Sequence, residues 1–175
     1  MDRDSVGEAE SLRVRLDTAG TGSASATTGL AVLDDLLVLL AETARFDLAV
    51  ESSLAGTEPE VEAIGAAIGA QLAASLDRPG ARRLGTGSAP QDEALASVVL
   101  EASGRPLVVS NVDLSAEHVG DLRGDLLARL LAALAESAGM TIHVRLLHGE
   151  DTEHVLDAIA KALGLALAEA CRTTS

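Results

Sequence analysis

Residues 36–51 read LLVLLAETARFDLAVE and residues 130–145 read LLAALAESAGMTIHVR, so the chain carries one pattern twice. Leu36, Leu37, Leu40, Ala41, Glu42, Ala44 and Val50 recur as Leu130, Leu131, Leu134, Ala135, Glu136, Ala138 and Val144. After one extra loop residue, VEAIGAAIGAQLA from Val61 matches LDAIAKALGLALA from Leu156. Each copy therefore reads as an apolar helix, a strand, a polar loop and a second apolar helix. Two copies fall short of the three or more that a solenoid needs, and point instead to two half-domains about a pseudo-twofold axis. A site built at such an axis should draw equivalent side chains from both halves.

At 175 residues the chain is the size of one domain, or of two intimately packed half-domains. Its core must be built from leucine, valine and alanine, because there is one phenylalanine and no tyrosine or tryptophan. Alanine-rich helices pack closely but bury little area each, so subunit contacts are expected to add stability. A net charge of −14 argues against nucleic acid, which would ask for a basic patch, and against anionic membranes. The single cysteine, Cys171, excludes an internal disulfide. With no signal peptide and no apolar run of membrane-spanning length, a cytoplasmic location is expected.

Along the chain, residues 1–11 are polar and acidic and are expected to form a flexible N-terminus. Leu12–Asp17 alternates as a half-buried strand, and Gly20–Thr28 is a loop or weak strand before a helix at about Gly29–Ala44. A strand at Phe46–Ser52, a polar loop and a helix at about Val61–Leu76 complete the first half-domain, residues 12–86. DRPGARRLGTG, from Asp77 to Gly87, reads as a turn-rich connector. The second half-domain, residues 87–171, opens with strands at Glu93–Ala102 and Leu107–Val112. It continues with a helix at about Leu122–Ser137, a strand at Thr141–Leu147 and a last helix to about Ala170. Residues 172–175 form a tail. Helices apolar on one face suit packing on a sheet.

The stretches TGLAVLDDLL, VEAIGAAIG, GARRLG, DEALASVVLEASGRP, VGDL, ESAGMTIHVRLLHG and HVLDAIAKAL occur in this order and spacing. In them the chain resembles the imidazoleglycerol-phosphate dehydratase family of histidine biosynthesis, from about Leu12 to Ala170. The resemblance implies an α+β fold of two duplicated half-domains, each a small mixed sheet covered by two helices (ribosomal protein S5 domain 2-like). It also implies a hairpin around the SGR segment, a dimanganese centre, and a homo-oligomer, either a trimer or an octahedral shell of trimers joined by the metals.

The family's metal ligands come from a duplicated H-H-x-x-E motif with further histidines on the preceding helix and strand. Here the first motif falls on Glu58, Pro59 and Glu62, and the second on Glu153, His154 and Asp157. The family's helix histidine is matched by Asp35, and its second-half partner by Arg129. His143, His154, Glu62 and Asp157 are what is left as carried-over ligands or catalytic candidates. Proline offers no side-chain ligand, and Arg129 places a permanent positive charge where a cation should sit. The metal positions Asp35, Glu58, Glu62, Arg129, His143, Glu153, His154 and Asp157 are therefore expected to be vestigial, with no cofactor, and manganese only if the family activity is retained.

The resemblance also implies a phosphate grip by Arg83 of RRLG, Arg105 of SGRP and Lys161 of AIAKAL, the last being the only lysine beside twelve arginines. Converging guanidiniums and an ammonium make an oxyanion site. Read without it, the arginines are turn-exposed or loop-capping charges and Lys161 snorkels from an amphipathic helix. His118 and His148 are read as surface residues. The expected role is that of a dehydratase-like protein with a degraded metal site, inactive or repurposed, able to take up a phosphorylated small molecule. The alternatives are an active dehydratase or other lyase with a non-standard metal site, and a purely structural oligomer or partner protein. Arg129 is expected to form ion pairs with Asp35, Glu58, Glu62, Glu153 and Asp157 in place of the metals.

Overall fold

The computed structural model describes residues 11–53 and 57–174. The expectations for residues 1–10, the loop residues 54–56 and Ser175 lie outside the described residues. Alternation of Leu12, Val14 and Leu16 with exposed arginines forms β1 (Leu12–Asp17). It is followed by β2 (Ala24–Thr27), α1 (Ala31–Ala44), β3 (Asp47–Ser52) and α2 (Glu58–Leu76). The second half runs β4 (Leu84–Gln91), β5 (Ala94–Glu101), β6 (Leu107–Ser110), β7 (His118–Val119), β8 (Leu122–Arg123), α3 (Gly124–Ala138), β9 (Thr141–His148) and α4 (Thr152–Cys171).

The first sheet has the order β1-β3-β2 and the second β4-β5-β9-β6. In both, the strand between the paired helices is central. β3 runs antiparallel to β1 and parallel to β2, just as β9 runs antiparallel to β5 and parallel to β6. The expected duplication is therefore present in strand order and direction as well as in sequence. α1 and α2 cover the first sheet, α3 and α4 the second, and the helix layers meet as α2 on α3 and α1 on α4.

Two expectations are corrected. β5 and β6 do not form a hairpin around SGR, because β9 lies between them and β5 turns back instead onto β4. Ile142 and Val144 of β9 are almost wholly buried, so that strand belongs in the sheet's centre, as β3 does in the first half. The end of the supposed connector, LGTG, is the start of β4. Gly85 and Gly87 face α4 so closely that a Cβ on either would collide with its backbone, at Ala166 and Ala162. These glycines mark a close helix–strand approach rather than a turn.

α2 begins three residues earlier than its apolar pattern, because Thr57 and Glu60 form a capping box and Pro59 sits in the first turn. The same repeat position makes both helix pairs close. A Cβ on Gly69 would lie 2.5 Å from the Leu134 carbonyl oxygen of α3, and one on its counterpart Gly164 would lie 2.6 Å from that of Leu40 in α1.

Candidate functional site

α3 carries Arg129 on its exposed face beside the first two turns of α2. Its Nη1 lies 2.7 Å from Glu58 Oε1 and 3.0 Å from Glu62 Oε1, and its Nε lies 4.0 Å from Asp125 Oδ2 one helical turn earlier. Glu58 and Glu62 are four residues apart and so share one helix face. The hydrogen bond to Glu62, then the charges of Glu58, Glu62 and Asp125, hold the guanidinium even more firmly in its charged form than usual, against some desolvation. Asp125 also pairs with Arg123.

The pseudo-equivalent cluster lies between α1 and α4. Asp35, Glu42, Glu153 and Asp157 line a depression of about 300 Å³ with Leu36, Leu39 and Leu156. Burial raises the Asp157 carboxyl, as do the neighbouring charges of Glu153 and Asp35, while Lys161 and His154 pull it the other way. Of the three matched pairs only one differs in sign: Asp35 stands where Arg129 does, while Glu153 matches Glu58 and Asp157 matches Glu62. Within one chain Arg129 gathers Glu58 and Glu62, while Asp35, Glu153 and Asp157 form their own cluster, because the fold sets the start of α2 beside α3 and the start of α4 beside α1.

The histidines do not join either cluster as ligands. His154 is turned to the two-residue β4–β5 hairpin, with Nδ1 2.7 Å from Glu93 Oε2 and Nε2 3.4 Å from Asp92 Oδ2. Glu93 also accepts from the backbone N–H of Asp151 (2.8 Å) and Glu150 (3.2 Å). These bonds, the Asp151 N–H first and His154 next, bring the Glu93 carboxyl down to about 2. The same carboxylate raises His154. His143 pairs in register with Val99 and Val109 and is exposed, whereas Ile142 and Val144 face the helices, so it points away from them on the far side of the second sheet. His148 contacts the Glu93 carbonyl, and His118 is exposed on β7.

The three cationic candidates do not meet within one chain. Arg83 donates to the Ala102 carbonyl (2.8 Å) and pairs with Asp77 at 3.7 Å. Arg105 is exposed in a loop whose backbone is fixed by Ser103 and Thr141. Both belong to the end of the second sheet where β4 begins. Lys161 binds the Pro90 carbonyl (3.1 Å) and the Gln91 side chain at the other end of β4, about 25 Å away at ~3.3 Å per residue. Sequence reading missed Glu93, Asp92 and Asp125. The i, i+4 spacing of Asp125 and Arg129 was a usable signal, whereas the Asp92–Glu93 hairpin turn became visible only once β4 was known to be a strand.

A family model for imidazoleglycerol-phosphate dehydratase matches residues 28–167. The chain belongs to the imidazoleglycerol-phosphate dehydratase family. It is 35% identical over 169 residues to the dehydratase of Clostridium botulinum, covering 94% of this chain and 86% of that one. It is 39% identical over 163 residues to that of Caldanaerobacter subterraneus, covering 91% and 84%. The crystal structure of the Staphylococcus aureus dehydratase superposes with a TM-score of 0.85 at 32% identity, over 94% of this chain and 95% of that one. The fold is thus that of the histidine-biosynthesis dehydratases. No helix among the described residues is long and apolar enough to cross a membrane.

The donor set does not fit a dimanganese centre of the family kind. One cluster offers two carboxylates already paired to a guanidinium, and the other offers carboxylates with no imidazole turned towards them. Among the described residues no three histidine, cysteine or carboxylate side chains form a metal-holding group.

Proposed function

We propose that this chain is a catalytically silent member of the dehydratase family that keeps the family scaffold as a homo-oligomer. The observation that carries this reading is the Arg129 guanidinium held between Glu58 and Glu62, at positions that match metal ligands in the family. A fixed positive charge there competes directly with a divalent cation for the same carboxylates. The chain's own groups offer no substitute. His154, the one histidine left in an H-H-x-x-E position, is committed to Glu93, and a proton held by that pair is not free for a substrate carbon. Any phosphate taken up within one chain falls to Arg83 and Arg105, with Lys161 available only from another copy.

A second reading, a working dehydratase, is favoured by the extent of the likeness: 35–39% identity to curated dehydratases over more than nine-tenths of the chain. The two are separated by assaying imidazoleglycerol-phosphate dehydration with and without added manganese, with metal content and mass measured on the same sample. The silent reading expects no turnover above the uncatalysed rate and no stoichiometric metal. Manganese-dependent turnover would establish the second reading and sink the first. Arg129→Ala adds a structural readout: it should loosen the oligomer, and an unchanged mass and melting point would show that the ion pair holds nothing together.

A further inference from the structure

One turn before the glycine that closes both helix pairs, the two halves part. A Cβ on Gly65 of α2 would lie 2.4 Å from the Leu130 carbonyl oxygen of α3, so only glycine fits there. Its repeat counterpart on α4 is Ala160, which carries the methyl that Gly65 lacks. At that level α4 therefore stands off from α1, although the two close at Gly164 one turn later. A cavity of about 490 Å³ lies beside Ala160, bounded by α1, α3 and α4 and floored by Val108 of β6 and Val144 of β9. The chain has one phenylalanine, Phe46, and no tyrosine or tryptophan, and Phe46 is not on this wall.

The walls are held in place. Asp121, in the β7–β8 turn, accepts from the N–H groups of Ala31 and Val32 at the start of α1, at 2.7 and 3.2 Å. The loop before it lies so close to α3 that a Cβ on Gly124 would collide with the Leu114 carbonyl. Asn111 extends the β6–β9 ladder with its side chain, bonding the Leu146 N–H at 2.8 Å and the Leu146 carbonyl at 3.0 Å. Fixed at these three points, the space is preformed, as small-molecule sites usually are.

The two ends of the cavity differ in chemistry. Leu33, Leu37, Leu130 and Leu163 line its inner part and are almost wholly buried. Ser110, Asp113 and Ser115 line its mouth and are exposed. The Ser115 hydroxyl, and then the Ser115 N–H at 3.0 Å, hold the Asp113 carboxyl below its usual range, so the mouth is negative at neutral pH. An apolar cavity of about 150 Å³ is enough to hold benzene, so this one has room for about ten to eighteen carbons.

We infer that this cavity binds a small amphiphile, with an apolar body among the leucines and a hydroxyl or ammonium end at Asp113 and its neighbouring serines. A carboxylate or phosphate end is repelled by Asp113, on a chain whose net charge is −14. Binding there does not depend on whether the chain turns over substrate.

The test is fluorescence titration of the full chain with N-phenylnaphthylamine, an uncharged aromatic probe, followed by displacement with decanol, decylamine or decanoate. Saturable binding at micromolar probe is expected, with displacement by the alcohol or the amine but not by decanoate. Displacement by the alcohol alone assigns a hydroxyl end, and by the amine alone an ammonium end. Ala160→Phe fills the cavity and should weaken probe binding at least about tenfold. Ala128→Trp, at an exposed position on the rim, should block it without touching the core. Asp113→Lys should reverse the preference, so that decanoate displaces the probe at least about tenfold better than from the parent. Circular dichroism checks that each variant is folded, and Ala128→Trp and Asp113→Lys carry the test if Ala160→Phe is not. A parent that binds no probe saturably, or binding that survives the folded blocking variants, would overturn the proposal. So would a bound probe that neither alcohol nor amine displaces, or one that decanoate displaces from the parent as well as they do.

Discussion

Arg45 and Gly139 end equivalent helices in the same backbone conformation, although one is arginine and the other glycine. Arg45 has φ 58° and ψ 33°, and Gly139 has φ 65° and ψ 42°. Each is followed by the same closing bond, Phe46 N–H to the Ala41 carbonyl and Met140 N–H to that of Ala135, both 2.9 Å. A left-handed residue with a Cβ costs about 1–2 kcal/mol relative to glycine. Glycine returns about 0.5–1 kcal/mol of that through its greater freedom in the unfolded chain. The Arg45 side chain is exposed and makes no ion pair among the described residues, so little else is lost. Arg45→Gly should therefore stabilise the protein by about 0.5–1 kcal/mol, which raises the urea midpoint by about 0.3–0.5 M at a slope of ~2 kcal/mol/M. Gly139→Ala should move it the other way by a similar amount. A Cβ there meets nothing nearer than the Gly104 Cα at 3.5 Å, so the cost is conformational rather than steric. Both are measured by equilibrium unfolding at one fixed protein concentration. A lower midpoint for Arg45→Gly, or an unmoved one for Gly139→Ala, would refute the claim that the duplicated halves require the same cap.

The Glu93–His154 pair gives a pH window. Glu93 is brought from 4.5 to about 2, so its contribution is present above about 4.5 and is lost as pH falls towards 2. His154 is raised above 6.5, so its contribution is full below 6.5 and is lost as pH climbs through its raised value. The β4–β5 turn is thus held best between about pH 4.5 and 6.5. Melting temperatures across pH should fall off less on both sides in Glu93→Gln than in the parent, and parallel curves would remove the pair from the account. Gly69→Ala should cost about 1–3 kcal/mol by driving α2 from α3, and Gly164→Ala a similar amount between α1 and α4. Unfolding midpoints decide both, and a neutral result at either would show that its helix pair can spread.

The repeat made the fold legible, because a sequence match between halves states which elements are equivalent before any of them is placed. What it did not state was adjacency. Nothing local to ASGRP shows that β9 will slide between β5 and β6, since the long pairing of Leu107–Ser110 with Thr141–Val144 is set by a strand over thirty residues away. GTG in β4 reads as a turn until α4 is placed against it, because the signal for close approach and the signal for a turn are the same missing Cβ.

The same limit applies to the site. Matching the two halves put Asp35 opposite Arg129, Glu58 opposite Glu153 and Glu62 opposite Asp157, but correspondence across a pseudo-twofold is not contact. Contact follows the helix pairs, α2 with α3 and α1 with α4. Each cluster therefore takes its acids from one helix and its third member from another, and only one of them received the arginine. The acids of the first cluster are paired with Arg129. In the second, burial lifts Asp157, and repulsion from Glu153 and Asp35 adds to it. The two halves thus remain alike where they pack, at Gly69 and Gly164 and at the caps, while they part at surface positions such as Asp35 and Arg129. The outer faces of the two sheets repeat that pattern, with Arg13 and Glu51 on one and Leu84, Val99 and Leu107 on the other.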